Sequence, residues 1–226
     1  MPAPTIVFDL DGTLIDTAPD LIQTLNLVFA REGLAPLHFE AGRNFVGSGA
    51  KAMIARALEA ERRVFPPARV QRMFEEFIAH YRDHLTERSR PFPGLADALD
   101  ALAARNCRLA VCTNKLEHLS VLLLDRFGLA DRFVAICGQD TFGVQKPDPE
   151  ILRRTVAAAR GTLQQTIMVG DSITDIHTAR ASGIPIIAVD FGYSESPVTQ
   201  FDPDRTIGHF SQLPATIAAL MAMARN

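Results

Sequence analysis

The sequence carries little cysteine, no surplus of positive charge and no long apolar run. Its 23 Lys and Arg stand against 26 Asp and Glu, a formal net charge of −3 over 226 residues. Without a basic stripe it has no electrostatic hold on a nucleic-acid backbone or an anionic membrane, so neither is expected as a partner. Cys107, Cys112 and Cys137 are odd in number and lack CxxC spacing; lying in or beside apolar runs, they read as buried thiols in a reducing compartment. The six histidines are scattered, and the one pair four apart, His80 and His84, lacks the HExxH pattern of a zinc site. No apolar stretch reaches the roughly 18 residues that a membrane span needs. Met-Pro-Ala-Pro has neither the charged n-region nor the apolar h-region of an export signal, and a cytoplasmic location is expected. Repeats and low-complexity tracts are lacking as well.

What is present is an ordinary globular composition, 47% hydrophobic and 22% charged, long enough for one large domain or a core with a smaller insertion. After Asp16 the apolar pattern turns helical: Leu21, Leu25, Val28 and Phe29 share one face, Met53, Ile54, Ala57 and Leu58 a second. Val70, Met73, Phe74, Phe77, Ile78 and Tyr81 form a third. The aromatic members of that last face read as packing rather than as a base-stacking surface. From Pro91 onward strands and helices alternate. Strands are expected at Arg108–Cys112, Phe133–Ile136, Thr166–Val169 and Ile184–Val189, and helices at Leu95–Arg105, His118–Phe127, Pro149–Ala159, Ile173–Ser182 and 213 to about 224. Continuous apolar strands separated by amphipathic helices predict a doubly wound, Rossmann-like α/β domain on a parallel sheet. Residues 1–15 and 88–226 would form this core and residues 16–87 an inserted helical unit, with linkers at Leu14–Pro19 and Arg88–Gly94.

The chemistry concentrates where apolar runs end. Thr5 to Phe8 delivers Asp9 and Asp11 into a turn at Gly12. Side chains two apart on an extended segment share a side, which puts these carboxylates about 7 Å apart, and like charges that close call for a cation or a shared proton. Three further polar clusters follow apolar runs: Thr113-Asn114-Lys115, Lys146-Pro147-Asp148-Pro149 and Gly170-Asp171-Ser172-Ile173-Thr174-Asp175. Each alone has a plain alternative as a turn, a helix cap or a surface lysine before an N1 proline. At the carboxyl ends of parallel strands all four would converge on one ligand crevice.

In this order the clusters resemble the four motifs of the haloacid dehalogenase-like (HAD) hydrolase superfamily, and the resemblance covers the whole chain. It implies that Asp9 is a nucleophile forming an aspartyl-phosphate, and that Asp11 is the acid that protonates the leaving group and then the base that activates water. The acid role implies a proton held near neutral pH. Family members that displace halide lack the second aspartate, so Asp11 favours phosphoryl transfer. The resemblance further implies Mg²⁺ held by Asp9, Asp171, Asp175 and the backbone carbonyl of Asp11, with Lys146 as a fixed ammonium and Thr113 and Asn114 as phosphate donors. Mn²⁺ could substitute. The helical unit would be a cap that closes for chemistry.

Gly47-Ser48-Gly49-Ala50-Lys51 resembles the substrate loop of the phosphoglycolate phosphatase-like branch, and equally a plain helix-start loop. Arg43 and Lys51 would suit a substrate carboxylate, and equally read as solvated charges. Asp16-Thr17-Ala18-Pro19-Asp20, Thr113-Asn114-Lys115 and Phe191-Gly192-Tyr193 also look like that branch, and Lys115 would add charge near the phosphate loop. The expected activity is Mg²⁺-dependent hydrolysis of a small phosphate ester, 2-phosphoglycolate foremost, by a monomer or homodimer. A phosphosugar mutase of the β-phosphoglucomutase type, a pyrophosphatase and a phospho-acceptor signalling module are the alternatives.

Overall fold

The computed structural model describes residues 3–223. Six strands build the main sheet: β1 (Thr5–Phe8), β4 (Arg108–Cys112), β5 (Ala135–Cys137), β6 (Thr166–Gly170), β7 (Ile186–Val189) and β8 (Arg205–Ile207). All pair in parallel, in the order β5-β4-β1-β6-β7-β8. Central β1 is fully buried. Period-two alternation sends its side chains to two layers. Ile6 and Phe8, with Val111 and Val169, pack on α5 (Leu95–Ala103), α6 (Glu117–Arg126) and α9 (Leu213–Met223). Val7, with Ala110 and Met168, packs on α7 (Pro149–Ala158) and α8 (Ile173–Ser182).

Register sets the site. Phe8 lies level with Val111 on one side and Val169 on the other, so the chains leave the sheet side by side at Asp9, Cys112 and Gly170. Two of the helices that begin beyond this edge, α7 and α8, are capped by their own motifs. Asp148 accepts from the Glu150 N–H ahead of α7, with Pro149 at its first turn. Ser172 and Asp175 form a reciprocal capping box on α8.

Between β1 and β4 the chain forms α1 (Ala18–Arg31), α2 (Phe39–Arg43), α3 (Ala50–Ala60) and α4 (Pro67–His84). Their apolar faces are continuous with the sheet's larger packing layer: Leu25, Met53, Phe77 and Tyr81 join Leu10, Leu14 and Leu119 in one buried cluster. On either side of these helices β2 (Ile15–Asp16) and β3 (Arg90–Pro91) pair as an antiparallel ribbon. Asp20 strengthens that junction by accepting from the Arg88 and Ser89 N–H groups and the Ser89 hydroxyl.

Several boundaries depart from expectation. The strand expected at Phe133–Ile136 runs Ala135–Cys137, because Phe133 turns inward edge-on to Phe8 at 6.2 Å while Val134 faces solvent. The strand expected from Ile184 starts at Ile186, after a proline with no N–H to give. The helix expected to reach Arg105 stops at Ala103, with Asn106 left-handed at φ 56°. Strands β2, β3 and β8 and helix α2 were not anticipated. The C-terminal helix was expected to reach Ala224, which lies outside the described residues.

Candidate active site

Asp9 follows β1 directly, and its N–H donates to the Val169 carbonyl at 2.9 Å, extending the ladder by one bond. Its side chain is buried with Lys146, Asp171 and Asp175. Lys146 Nζ stands 2.8 Å from Asp9 Oδ1 and 2.6 Å from Asp175 Oδ1. Asp175 Oδ2 accepts from the Ser172 hydroxyl at 2.6 Å and the Ser172 N–H at 3.1 Å, so both its oxygens have partners. Asp171 accepts from Thr13 Oγ1 at 3.0 Å and the Tyr193 N–H at 2.7 Å. Gly12, at φ 84°, passes so close to Asp171 that a Cβ there would lie 2.5 Å from its Oδ2.

Three carboxylates and one ammonium leave this cluster short of positive charge. Burial foremost, against the attraction of Lys146, pushes the Asp9 carboxyl up to about 7. Burial and the charges of Asp175 and Asp9 push Asp171 up to about 8. Burial works against the Lys146 ammonium, but Asp175 and Asp9 outweigh it and hold the group above its ordinary value. Asp9 Oδ1 accepts no hydrogen bond, since Lys146 approaches it off the bonding direction. One oxygen from each of Asp9, Asp171 and Asp175 lies within 4.8 Å of the others. An all-oxygen, electron-rich donor set with an unsatisfied member fits a hard divalent cation.

Asp11 turns the other way, toward the helices. Its Oδ1 accepts from Thr17 Oγ1 at 2.8 Å, and Lys115 Nζ reaches its two oxygens at 2.9 and 3.2 Å. The same ammonium donates to Tyr81 Oη at 2.9 Å, from α4, and lies 4.4 Å from that ring's centre. Asp11, Lys115 and Tyr81 wall a small cavity of about 30 Å³, partly open to solvent. Gly47 and Gly49 line it too, with Met53 and Phe77 on the apolar side. Gly49, at φ 88°, leaves no room for a side chain: a Cβ would meet the Asn114 carbonyl at 2.9 Å. Asn114 Nδ2 donates to the Gly47 carbonyl at 3.3 Å, so the helical segment is seated on the sheet's edge.

A family model for haloacid dehalogenase-like hydrolases matches residues 6–189. The chain belongs to that family. It is 45% identical over 224 residues to a phosphoglycolate phosphatase of Mesorhizobium japonicum, covering 99% of both chains. It is 44% identical to one of Agrobacterium fabrum, covering 97% and 95%. Among solved structures, a predicted phosphoglycolate phosphatase from Haemophilus somnus superposes with TM-score 0.88 at 26% identity, covering 95% of this chain and 97% of that one. The chain is a HAD phosphatase of the phosphoglycolate phosphatase-like branch.

Within this hydrolase the structure brings Asp9, Asp171, Asp175 and Lys146 into one contact group and sets Asp11 beside it on the cavity wall. The Thr113 hydroxyl accepts from the Lys115 N–H at 3.2 Å. The Asn114 side chain clamps the Lys146 backbone, accepting from its N–H at 2.8 Å and donating to its carbonyl at 3.2 Å. Arg43 is elsewhere: its guanidinium donates to the Phe191 and Gly192 carbonyls and stands 5.3 Å from the centre of the Tyr193 ring, outside the cavity lining. Lys51 bonds Gln71 on the surface. The chain's only tyrosines carry more than the sequence reading gave them, which was packing for Tyr81 and a place in a branch-like tripeptide for Tyr193. The Tyr193 hydroxyl accepts from the Ala18 N–H and donates to Asp16 Oδ1 at 2.6 Å, tying the ribbon to the Asp171 loop. The likeness of Phe191-Gly192-Tyr193 to the branch was the available signal for Tyr193, and the rarity of tyrosine the one for Tyr81.

Proposed function

We propose that this chain is a Mg²⁺-dependent phosphomonoesterase that hydrolyses 2-phosphoglycolate through an aspartyl-phosphate on Asp9. One observation carries the reading: two carboxylates two residues apart face opposite surroundings, Asp9 toward Lys146 and the acidic cluster, Asp11 toward the cavity. Different surroundings suit the two carboxylates to different roles, and the order of the family's motif makes Asp9 the nucleophile and Asp11 the acid. The relatives named above support the substrate.

Asp9, Asp171 and Asp175 would hold Mg²⁺ together with the Asp11 carbonyl, and Asp175 also fixes Lys146. When bound, the ion lowers the repulsion between the Asp9 carboxylate and the phosphoryl oxygens. Asp9 attacks phosphorus; its O–P bond forms as the ester P–O bond breaks, and Asp11 gives its proton to the departing alkoxide. Asp11, now ionised, takes a proton from water, which attacks phosphorus and breaks the aspartyl O–P bond, releasing phosphate. Lys146 steadies the phosphoryl charge in both steps, and the Thr113 hydroxyl and Asn114 backbone N–H offer donors to its oxygens. Residues 16–87 act as the cap, keeping bulk water out of the first step.

Phosphate release from 2-phosphoglycolate, neutral phosphate monoesters, pyrophosphate and β-glucose 1-phosphate, with Mg²⁺ and with EDTA, tests the reading. The expected result is activity lost in EDTA and kcat/KM for 2-phosphoglycolate at least about 10²-fold above that for neutral-tailed esters. A flat profile would discard the substrate and keep the phosphatase, and glucose 6-phosphate formed without free phosphate would favour a mutase.

A further inference from the structure

We infer that Lys115 is the specificity residue for the organic half of the substrate: its ammonium exchanges Asp11 for the substrate's own carboxylate, so that only an anionic tail frees Asp11 for the leaving oxygen. This deepens the phosphatase reading above and rests on it.

Among the described residues lining the cavity, Lys115 is the only cation. It is 6% exposed, and a buried ammonium is tolerable only while it is paired. Its three N–H groups are matched by the two Asp11 oxygens and the Tyr81 hydroxyl. The backbone beneath it is held firmly: its N–H donates to Thr113 Oγ1, its carbonyl accepts from the Gln139 N–H at 3.1 Å, and a Cβ at Gly138 would lie 2.5 Å from that carbonyl. The side chain therefore has a fixed base and a partner that can be replaced.

The phosphoryl group must face Asp9 and the ester oxygen must face Asp11, so the organic tail extends into the cavity. The polar side chains lining it beside Asp11 are Lys115, Tyr81 and Gln139, and the first two are bonded to each other. While both Asp11 oxygens lie on Lys115, neither is presented to the ester oxygen. A carboxylate one carbon beyond the ester carbon offers the ammonium an equivalent partner, so the exchange leaves the buried ammonium paired while Asp11 keeps the Thr17 hydroxyl. A neutral tail offers none, and Asp11 stays on Lys115. Neither cation favoured by sequence can do this, because Arg43 is committed to the Phe191 and Gly192 carbonyls and Lys51 to Gln71 outside.

The test compares 2-phosphoglycolate with 2-hydroxyethyl phosphate, its neutral-tailed counterpart, in wild type, Lys115→Met and Lys115→Arg with Mg²⁺ present. The wild-type ratio of kcat/KM should fall at least about 30-fold in Lys115→Met and be largely restored in Lys115→Arg. A ratio unchanged in Lys115→Met, with wild type still preferring 2-phosphoglycolate, overturns the role of Lys115 and leaves the substrate reading standing. No wild-type preference overturns both. Because Lys115→Met leaves Asp11 without its cation, the charge-free pair Asp11→Asn/Lys115→Met provides a second readout by calorimetry. Compared with Asp11→Asn, its Kd for 2-phosphoglycolate should weaken at least about tenfold more than its Kd for 2-hydroxyethyl phosphate; equal weakening overturns the inference.

Discussion

Two buried lysines stand at the same site, each ion-paired with one of the two aspartates of the proposed reaction, and their surroundings differ in kind. Lys146 lies between Asp9 and Asp175, its backbone clamped by Asn114 and its second carboxylate clamped by Ser172. All of those partners belong to the loops beyond the sheet edge or to the first turn of α8. Lys115 lies between Asp11, which leaves that edge, and Tyr81, which sits on helix α4. A charge enclosed within one rigid unit can be held at a fixed point, as transition-state stabilisation requires. A charge shared across two packing units can change partners when a ligand arrives between them. On the proposed reading the first wall would serve the phosphoryl group common to all substrates, and the second what distinguishes them.

The largest effect should come from the fixed wall. Asp9→Asn is expected to lower kcat by about 10⁴-fold or more, as loss of a nucleophile does. In EDTA at pH 8 it should melt no lower than wild type, because it removes a buried charge rather than a packing group. Substantial turnover in the folded variant would remove Asp9 from its role. Lys146→Met should be the most destabilising change in the site, since it strands Asp9 and Asp175 without their cation, at a cost of about 3–5 kcal/mol. Denaturant unfolding should show Lys115→Met costing less, because Asp11 keeps Thr17. The reverse order would erase the distinction between the walls.

Protonation sharpens the comparison further. In the ion-free protein the folded-state carboxyls of Asp9 and Asp171 lie at about 7 and about 8, above the ordinary 3.8. The folded state then binds protons that the unfolded state has released. Their contribution to stability is full below about 3.8 and is lost as pH rises through 7 to 8. A divalent ion must displace those protons, so the gain in Tm on adding Mg²⁺ should be larger at pH 8.5 than at pH 6, by about 5 °C. A gain independent of pH would show that the acidic cluster is not the binding site.

The sequence disclosed the fixed wall far better than the exchangeable one. Asp9, Thr113, Lys146 and Asp171 each follow or lie near an apolar strand, and a parallel sheet in register brings strand ends together without further information. Arg108–Cys112 and Ile173–Ser182 were legible to the residue. What escaped depends on partners far away in the chain. Strand β8 has three residues and only one of them apolar, too short to show a period. The Asp20 bonds to Arg88 and Ser89 join two segments that nothing in either predicts. The clamp of Asn114 on Lys146 and the reach of Lys115 to Tyr81 are likewise tertiary facts, and a lysine at a helix start reads locally as a surface charge.

Arg43 shows most plainly how local reasoning misassigns a cation, and its removal should have the smallest effect. By type and position it suited a substrate carboxylate, yet its Nη2 lies 2.6 Å from the Gly192 carbonyl and 3.3 Å from that of Phe191. The loop it grips continues into Tyr193, whose N–H holds Asp171 and whose hydroxyl holds Asp16. Arg43 thus braces the helices against the loop that steadies the acidic cluster, and it touches the tail cavity nowhere. Arg43→Ala should lower kcat/KM by about three- to tenfold, consistent with loss of charged hydrogen bonds worth roughly 1 kcal/mol, and by the same factor for 2-phosphoglycolate and 2-hydroxyethyl phosphate. Lys115→Met should change that ratio, and the contrast between the two variants separates a strut from a selector. A loss confined to the carboxylate-bearing substrate in Arg43→Ala would move the selecting charge from the cavity wall to the brace.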